Sequence, residues 1–119
     1  MPGRDDHLPL APHVFEILLA LSQGPRHGYG IIAEVRERTG GAVLIGTSSL
    51  YAAIRRMLAD GLVADGRKQP DEQSGGPPRR YYRITTLGTE VARLEAERLR
   101  KAAKAAEKLL DGSFARSRS

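Results

Sequence analysis

Arg55 and Arg56 are the side chains of this sequence best suited to recognition chemistry. A guanidinium is a planar fork of donors that matches the acceptor pair on a guanine edge or two oxygens of a phosphate. The two arginines lie in residues 46–61, G-T-S-S-L-Y-A-A-I-R-R-M-L-A-D-G, behind the hydroxylic run Thr47, Ser48, Ser49 and the aromatic Tyr51. Leu50, Ile54, Met57 and Leu58 recur at helical spacing, which predicts one short amphipathic helix with that stripe buried. Ser48, Ala52, Arg55 and Arg56 fall on the opposite face. Thr47 or Ser48 can cap the start through a side-chain oxygen, and Gly61 can end the helix in a left-handed conformation. Small residues near the start let the helix approach another surface closely, so the face suits a DNA groove. It also suits a surface helix that merely keeps its arginines in water.

Other chemistries lack carriers. Cysteine is absent, which excludes disulfides and thiolate metal sites. His7, His13 and His27 share neither a helix face nor ligand spacing, so no metal and no cofactor is expected. Gly28-Tyr29-Gly30 lacks the third glycine of a dinucleotide loop and follows a helix instead of a strand. No serine has a base placed beside it, and no carboxylate pair lies in an apolar setting, so an enzyme is not expected. The Tyr81-Tyr82 pair either stacks on bases or packs in a strand.

The elements that must position the arginines fit one small domain of 119 residues, 40% hydrophobic and 28% charged. The formal charge is +5, divided unevenly: residues 1–78 carry −1 and residues 79–119 carry +6. Such a surplus favours a polyanionic partner. No apolar run reaches a membrane span of about 20 residues, and the start M-P-G-R-D-D has no signal-peptide core. A cytoplasmic protein without membrane attachment is expected.

Residues 1–11 are polar and rich in Pro and Gly, read as a flexible N-terminal arm or a short packing segment. Pro12 suits the first position of a helix whose Val14, Phe15, Ile17, Leu18, Leu19 and Leu21 cover most of its circumference. Gly24-Pro25 stops it. R-H-G-Y-G then leads into a second helix with Ile31, Ile32 and Val35 inside, ended by Gly40-Gly41. Residues 42–45 predict a small strand or a packed linker. Beyond Gly61, Leu62-Val63-Ala64 opens a strand, residues 69–78 form a loop, and R-R-Y-Y-R-I-T returns with Tyr82 and Ile84 on one face. Arg67, Lys68, Arg79, Arg80 and Arg83 gather on this hairpin, while Asp71 and Glu72 dilute the charge at its tip.

Thr86 can cap the last helix, residues 87–110, before a tail at 111–119 expected to be disordered. Ala92, Ala96, Leu99, Ala103, Ala106 and Leu110 follow a heptad-like spacing, the stripe of a helix that packs lengthwise on another. Val91 and Leu94 begin a second apolar face that docks on the domain. The stripe's natural complement is the same helix of a second copy, with Val14, Phe15 or Leu18 of the other subunit supplementing the thin alanine seam. The alternative is a helix folded back on its own domain.

The order of elements is that of a winged helix-turn-helix: mainly α, with a β-hairpin wing and a long C-terminal dimerisation helix. The sequence also resembles the PadR family of bacterial transcriptional regulators in its short form. Four stretches carry the resemblance in register: I-L-L-A-L-S-Q-G-P-R-H-G-Y-G-I-I from Ile17, S-S-L-Y from Ser48, L-A-D-G-L-V from Leu58 and R-R-Y-Y-R-I-T-T-L-G from Arg79. The resemblance implies a homodimeric repressor of a palindromic operator on double-stranded DNA, with the third helix in the major groove and the wing on the flanking backbone. Residues 12–86 would be the DNA-binding unit and 87–110 the dimerisation helix. Thr47, Ser48, Ser49, Tyr51, Arg55, Arg56, Arg79 and Arg80 are the expected DNA contacts, and Phe15, Leu94, Leu99, Ala103, Ala106 and Leu110 the expected dimer contacts. Many relatives place proline-glycine before threonine-leucine-tyrosine in that helix, where this chain has Gly46-Thr47-Ser48-Ser49. Some short members hold flat aromatic compounds against a tryptophan of the last helix, and this chain has no tryptophan. Its small-molecule effector, if it has one, is left open. The competing functions are a protein-interaction module pairing through the C-terminal helix and a small-molecule sensor.

Overall fold

Helix α1 (Pro12–Leu21) starts on its proline, whose missing N–H would have no partner in a first turn anyway. Ile17, Leu18, Ala20 and Leu21 are buried, and a leucine or isoleucine side chain contributes about 1.5–3 kcal/mol on full burial. The computed structural model describes residues 3–66 and 79–111. The hairpin tip lies outside them, with Arg67, Lys68, Asp71 and Glu72, as do the tail residues 112–119.

Gly24, at φ 138°, turns the chain into β1 (Arg26–His27), a strand of two residues that the sequence does not announce. Arg26 anchors it by donating from Nε to the Ala20 carbonyl at 2.8 Å. Of the small strand or packed linker expected at residues 42–45, no strand forms. Val43 is instead tied to Thr39, whose Oγ1 accepts from the Val43 N–H at 3.1 Å, and Ile45 plugs the core, so this stretch is a packed linker.

Helix α2 (Gly28–Arg38) is capped by His27, whose Nδ1 accepts from the Gly30 N–H at 3.1 Å. At its end Gly41 N–H reaches the Arg36 carbonyl and Gly40 N–H the Glu37 carbonyl, and both glycines have positive φ. Arg38 joins α2 to α1 through Glu16 at 2.7 Å and pairs within α2 with Glu34 at 2.8 Å. The paired carboxylates push its already high pKa up further.

After helix α3 (Thr47–Ala59), β2 (Val63–Asp65) and β3 (Tyr81–Ile84) make the wing. They pair antiparallel with Val63 opposite Ile84 and Asp65 opposite Tyr82. β1 pairs on the other side of β3, so the sheet has the order β1-β3-β2. Tyr82 is buried, and Tyr81 meets the His27 ring edge-on at 5.3 Å between centroids. The tyrosine pair thus packs.

Helix α4 (Thr86–Leu110) is capped by Thr85 and not by Thr86: Thr85 Oγ1 accepts from the Gly88 N–H at 3.0 Å and donates to the Gly61 carbonyl at 2.6 Å. One hydroxyl thereby ties the helix to the end of α3. Gly88 sits against the Leu62 carbonyl and leaves no room for a Cβ. Val91 and Ala92 are buried in the chain's own core, so Ala92 leaves the expected seam. Leu18 is fully buried as well and cannot supplement a seam. Phe15 and Leu94 are half-buried, whereas Leu99, Ala103, Ala106 and Leu110 are exposed.

Residues 3–11 lie on the domain: a 3-10 turn at Arg4–His7 rests against α4, and Leu8 and Leu10 pack on the core. Glu95 holds this segment. It is 2% exposed, takes two hydrogen bonds from Arg98 at 2.7 and 2.9 Å, and accepts from the Leu10 backbone. Arg98 keeps its carboxyl below the usual value of 4.5, against the opposing effect of burial. Glu95→Ala is expected to cost about 1–3 kcal/mol, because the Arg98 guanidinium and the Leu10 N–H both lose a charged acceptor. A depressed folded pKa gives stability that is full above the unfolded value and lost as pH falls through the folded one. The gap between wild type and variant in urea melts should therefore be widest near neutral pH and narrow below about 4.5.

Candidate nucleic-acid interface

The geometry of α3 follows from its two ends and its buried stripe. Gly46 is the N-cap in an extended conformation, and neither Thr47 nor Ser48 caps the helix with its side chain. Thr47 is instead the first helical residue, and the first intrahelical bond runs from the Leu50 N–H to the Gly46 carbonyl at 2.9 Å. The first-turn N–H groups thus have no intrahelical acceptor and lie at the positive end of the helix dipole, an arrangement that suits phosphate. At the other end Gly61 has φ 77°, with Leu62 N–H on the Met57 carbonyl and Gly61 N–H on the Leu58 carbonyl.

Leu50, Ala53, Ile54 and Met57 are buried and fix the helix rotation. Thr47, Ser48, Ser49, Ala52, Arg55 and Arg56 are exposed as a result. The face read from the sequence is therefore the outward one. Tyr51 differs: it is half-buried on the core, with its hydroxyl against Gly28 at the start of α2. A Cβ at Gly28 would meet this hydroxyl and come within 2.8 Å of the ring carbon bearing it. Gly28 is thus the close approach that seats Tyr51 and sets the spacing of α2 and α3.

Arg79 and Arg80 are exposed at the start of the returning wing strand. Arg79 Nη1 lies 3.3 Å from His27 Nε2. Arg80 is paired with Asp65 across the hairpin at 2.6 Å and lies over the Tyr82 ring at 5.4 Å. The Asp65 hydrogen bond raises its already high pKa further. Sequence reasoning missed both neighbours. Asp65 could have been found by folding the hairpin on paper, whereas His27 has no signal until β1 is known.

Among the described residues no group of three His, Cys, Asp or Glu could hold a metal, and no helix is long and apolar enough to cross a membrane.

The family model of the PadR-like transcriptional regulators matches residues 17–95. A PadR family transcription regulator from Clostridium difficile R20291 is 26% identical and superposes with a TM-score of 0.71 over 84% of this chain and 99% of that one. PadR of Bacillus subtilis, solved in complex with operator DNA, is 21% identical with a TM-score of 0.57 over 67% of this chain and 44% of that one, a likeness of fold. A 37.1 kDa protein of transposon Tn4556 from Streptomyces fradiae is 36% identical over 80 residues, 67% of this chain. The chain spans 21% of that relative's length. With a small antiparallel sheet joined to helices in winged-helix order and a family match over most of its length, the chain belongs to the PadR-like family of transcriptional regulators, which are DNA-binding winged-helix proteins.

Proposed function

We propose that the protein is a homodimeric repressor that binds a palindromic operator, α3 of each subunit entering the major groove and each wing touching the flanking backbone. The observation that carries this function is the outward face of α3, where Ser48, Ser49, Arg55 and Arg56 stand exposed above a stripe that is fully packed. A helix so anchored presents its arginines with little freedom of its own, as base readout requires. Tyr51, seated on Gly28, acts here by holding the helix, with its ring edge beside the DNA. Arg79 and Arg80 supply charge to the neighbouring phosphates.

The homodimer is supported by the outer part of α4, where Leu99, Ala103, Ala106 and Leu110 leave an apolar stripe in water. Phe15 and Leu94 would extend it. The domain of residues 12–86 then reads DNA, residues 87–110 join the copies, and the site of action is the cytoplasm. Selection from random duplexes tests this directly: the expected product is an inverted repeat with half-sites about 10 base pairs apart, or a multiple. Enrichment of an asymmetric sequence, or of none, contradicts it.

Because Arg79 and Arg80 stand on the wing and not on the packed helix, their role is electrostatic. The pair Arg79→Ala with Arg80→Ala is expected to weaken binding to all sequences alike and to lower the salt slope by about 0.9 for each phosphate no longer neutralised. Titrations at several salt concentrations check it. A weakening confined to the selected site would give these residues base-reading work instead.

A further inference from the structure

The wing carries a counter-charge of its own. Asp65 stands directly opposite Tyr82 in the register of β2 and β3, so their side chains share one face of the hairpin. Arg80 folds over the Tyr82 ring on that face, its guanidinium carbon 5.4 Å from the centroid, and meets Asp65 there. A single oxygen, Asp65 Oδ1, accepts from Arg80 Nε at 2.7 Å and lies 2.6 Å from Nη2. The side edge of the guanidinium, a fork that could clasp a phosphate with two parallel bonds, is thereby taken. Both side chains stay largely in water, Arg80 55% and Asp65 61% exposed.

An exposed pair of this kind adds little to stability, so its weight falls on the charge that the wing presents. Arg80 and Asp65 together are neutral, and a neutral pair releases no counterion from DNA. A phosphate can reach Arg80 in two ways. It displaces Asp65 and forfeits that bond, or it takes the remaining edge beside a carboxylate that repels it. Either way the contact is weaker than one to a lone arginine. We infer that Asp65 sets the affinity for DNA as an internal competitor for the phosphate that Arg80 grips, holding the wing's contact with any duplex below what its arginines allow. This rests on the wing touching the DNA backbone, as proposed above.

The same pair could serve the opposite end, because Asp65 also orients Arg80. Two considerations decide for competition. Arg80 has a second seat on the Tyr82 ring, within the reach of about 6 Å of a cation–π contact, so removing the carboxylate does not set it loose. The duplex carries one negative charge for about every 1.7 Å of its axis, so a carboxylate fixed at the contact opposes binding.

The test titrates the full chain with a random-sequence duplex and with the selected operator, at salt concentrations from about 50 to 200 mM. Asp65→Asn keeps the shape of the side chain and removes its charge, and with both partners exposed it should fold as wild type does. It should bind both duplexes about threefold more tightly at the lower salt, and the salt slope should steepen by up to about 0.9, as one more phosphate is neutralised. Asp65→Glu restores the charge and should return both values toward wild type. In a chain that also carries Arg80→Ala, the gain from Asp65→Asn should all but vanish, because the competitor then has nothing to compete for. Lower affinity in Asp65→Asn overturns the inference and makes Asp65 a positioning residue. An equal gain with and without Arg80 overturns it too, since the carboxylate then acts on DNA directly. Unchanged binding in Asp65→Asn, with Arg80→Ala weakening the wild type, overturns it and leaves the wing as a phosphate contact. Should Arg80→Ala change nothing in either background, Arg80 is not at the DNA, and the inference falls together with that part of the wing's role.

Discussion

Leu99→Glu is expected to sediment as a monomer of unchanged helical content whose affinity for the selected operator falls on the order of 100-fold. Leu99 is 40% exposed in the single chain and stands outside its hydrophobic core, so a carboxylate there still reaches water. In the proposed dimer the same position lies inside a seam of alanines, where each side chain buries little area and an unpaired charge is costly. The fall in DNA affinity then comes from bivalency: two half-sites gripped by one dimer gain about 10²–10⁴ over either alone. Ala92→Glu makes the opposite case, because Ala92 is buried in the chain's own core and its substitution should unfold the domain instead of separating copies. A Leu99→Glu protein that remains dimeric and binds DNA fully would mean that α4 packs through another face.

Arg55→Ala and Arg56→Ala should each weaken specific binding by about 1–3 kcal/mol if the arginine makes a bidentate contact to guanine, and less if it meets only phosphate. Neither substitution should move the melting temperature appreciably, since both side chains are exposed and the helix is held by Leu50, Ile54 and Met57. The distinction between base and phosphate is measurable in competition with random-sequence DNA: removing a base reader erodes discrimination, whereas removing a phosphate binder weakens affinity for every duplex. Unchanged affinity and preference in both variants would remove α3 from the role of reader.

The elements legible in the sequence were those whose burial repeats. The stripe Leu50, Ile54, Met57 predicted the rotation of α3, and hence which residues face outward, because a helix with one apolar stripe has one way to bury it. Gly61 announced its left-handed stop, and Tyr82 with Ile84 announced the inner face of the wing. What stayed hidden depends on contacts distant in sequence. Arg26 and His27 form a strand only because β3 offers an edge for two residues, and no period exists in so short a stretch. Thr85 and Thr86 are equivalent as caps on paper; the Gly61 carbonyl, which accepts the Thr85 hydroxyl, decides between them. Ala92 fits the heptad spacing as well as Ala103 does, and only the depth at which α4 enters the core separates them. Glu95 looks like a surface residue of a charged helix until the N-terminal segment is seen to lie over it. Among the site residues, Tyr51 carried no mark of its half-buried seat, since the glycine that makes room for it is on another helix.

Helix α3 as the reading element of a symmetric complex is the central claim, and a hydroxyl-radical footprint of the full chain on the DNA upstream of its own coding sequence tests it most directly. The predicted result is two protected blocks related by a two-fold axis, their centres about one duplex turn or a multiple apart, both abolished together in Arg55→Ala with Arg56→Ala. A single asymmetric block, or protection that persists undiminished in that double variant, would contradict it.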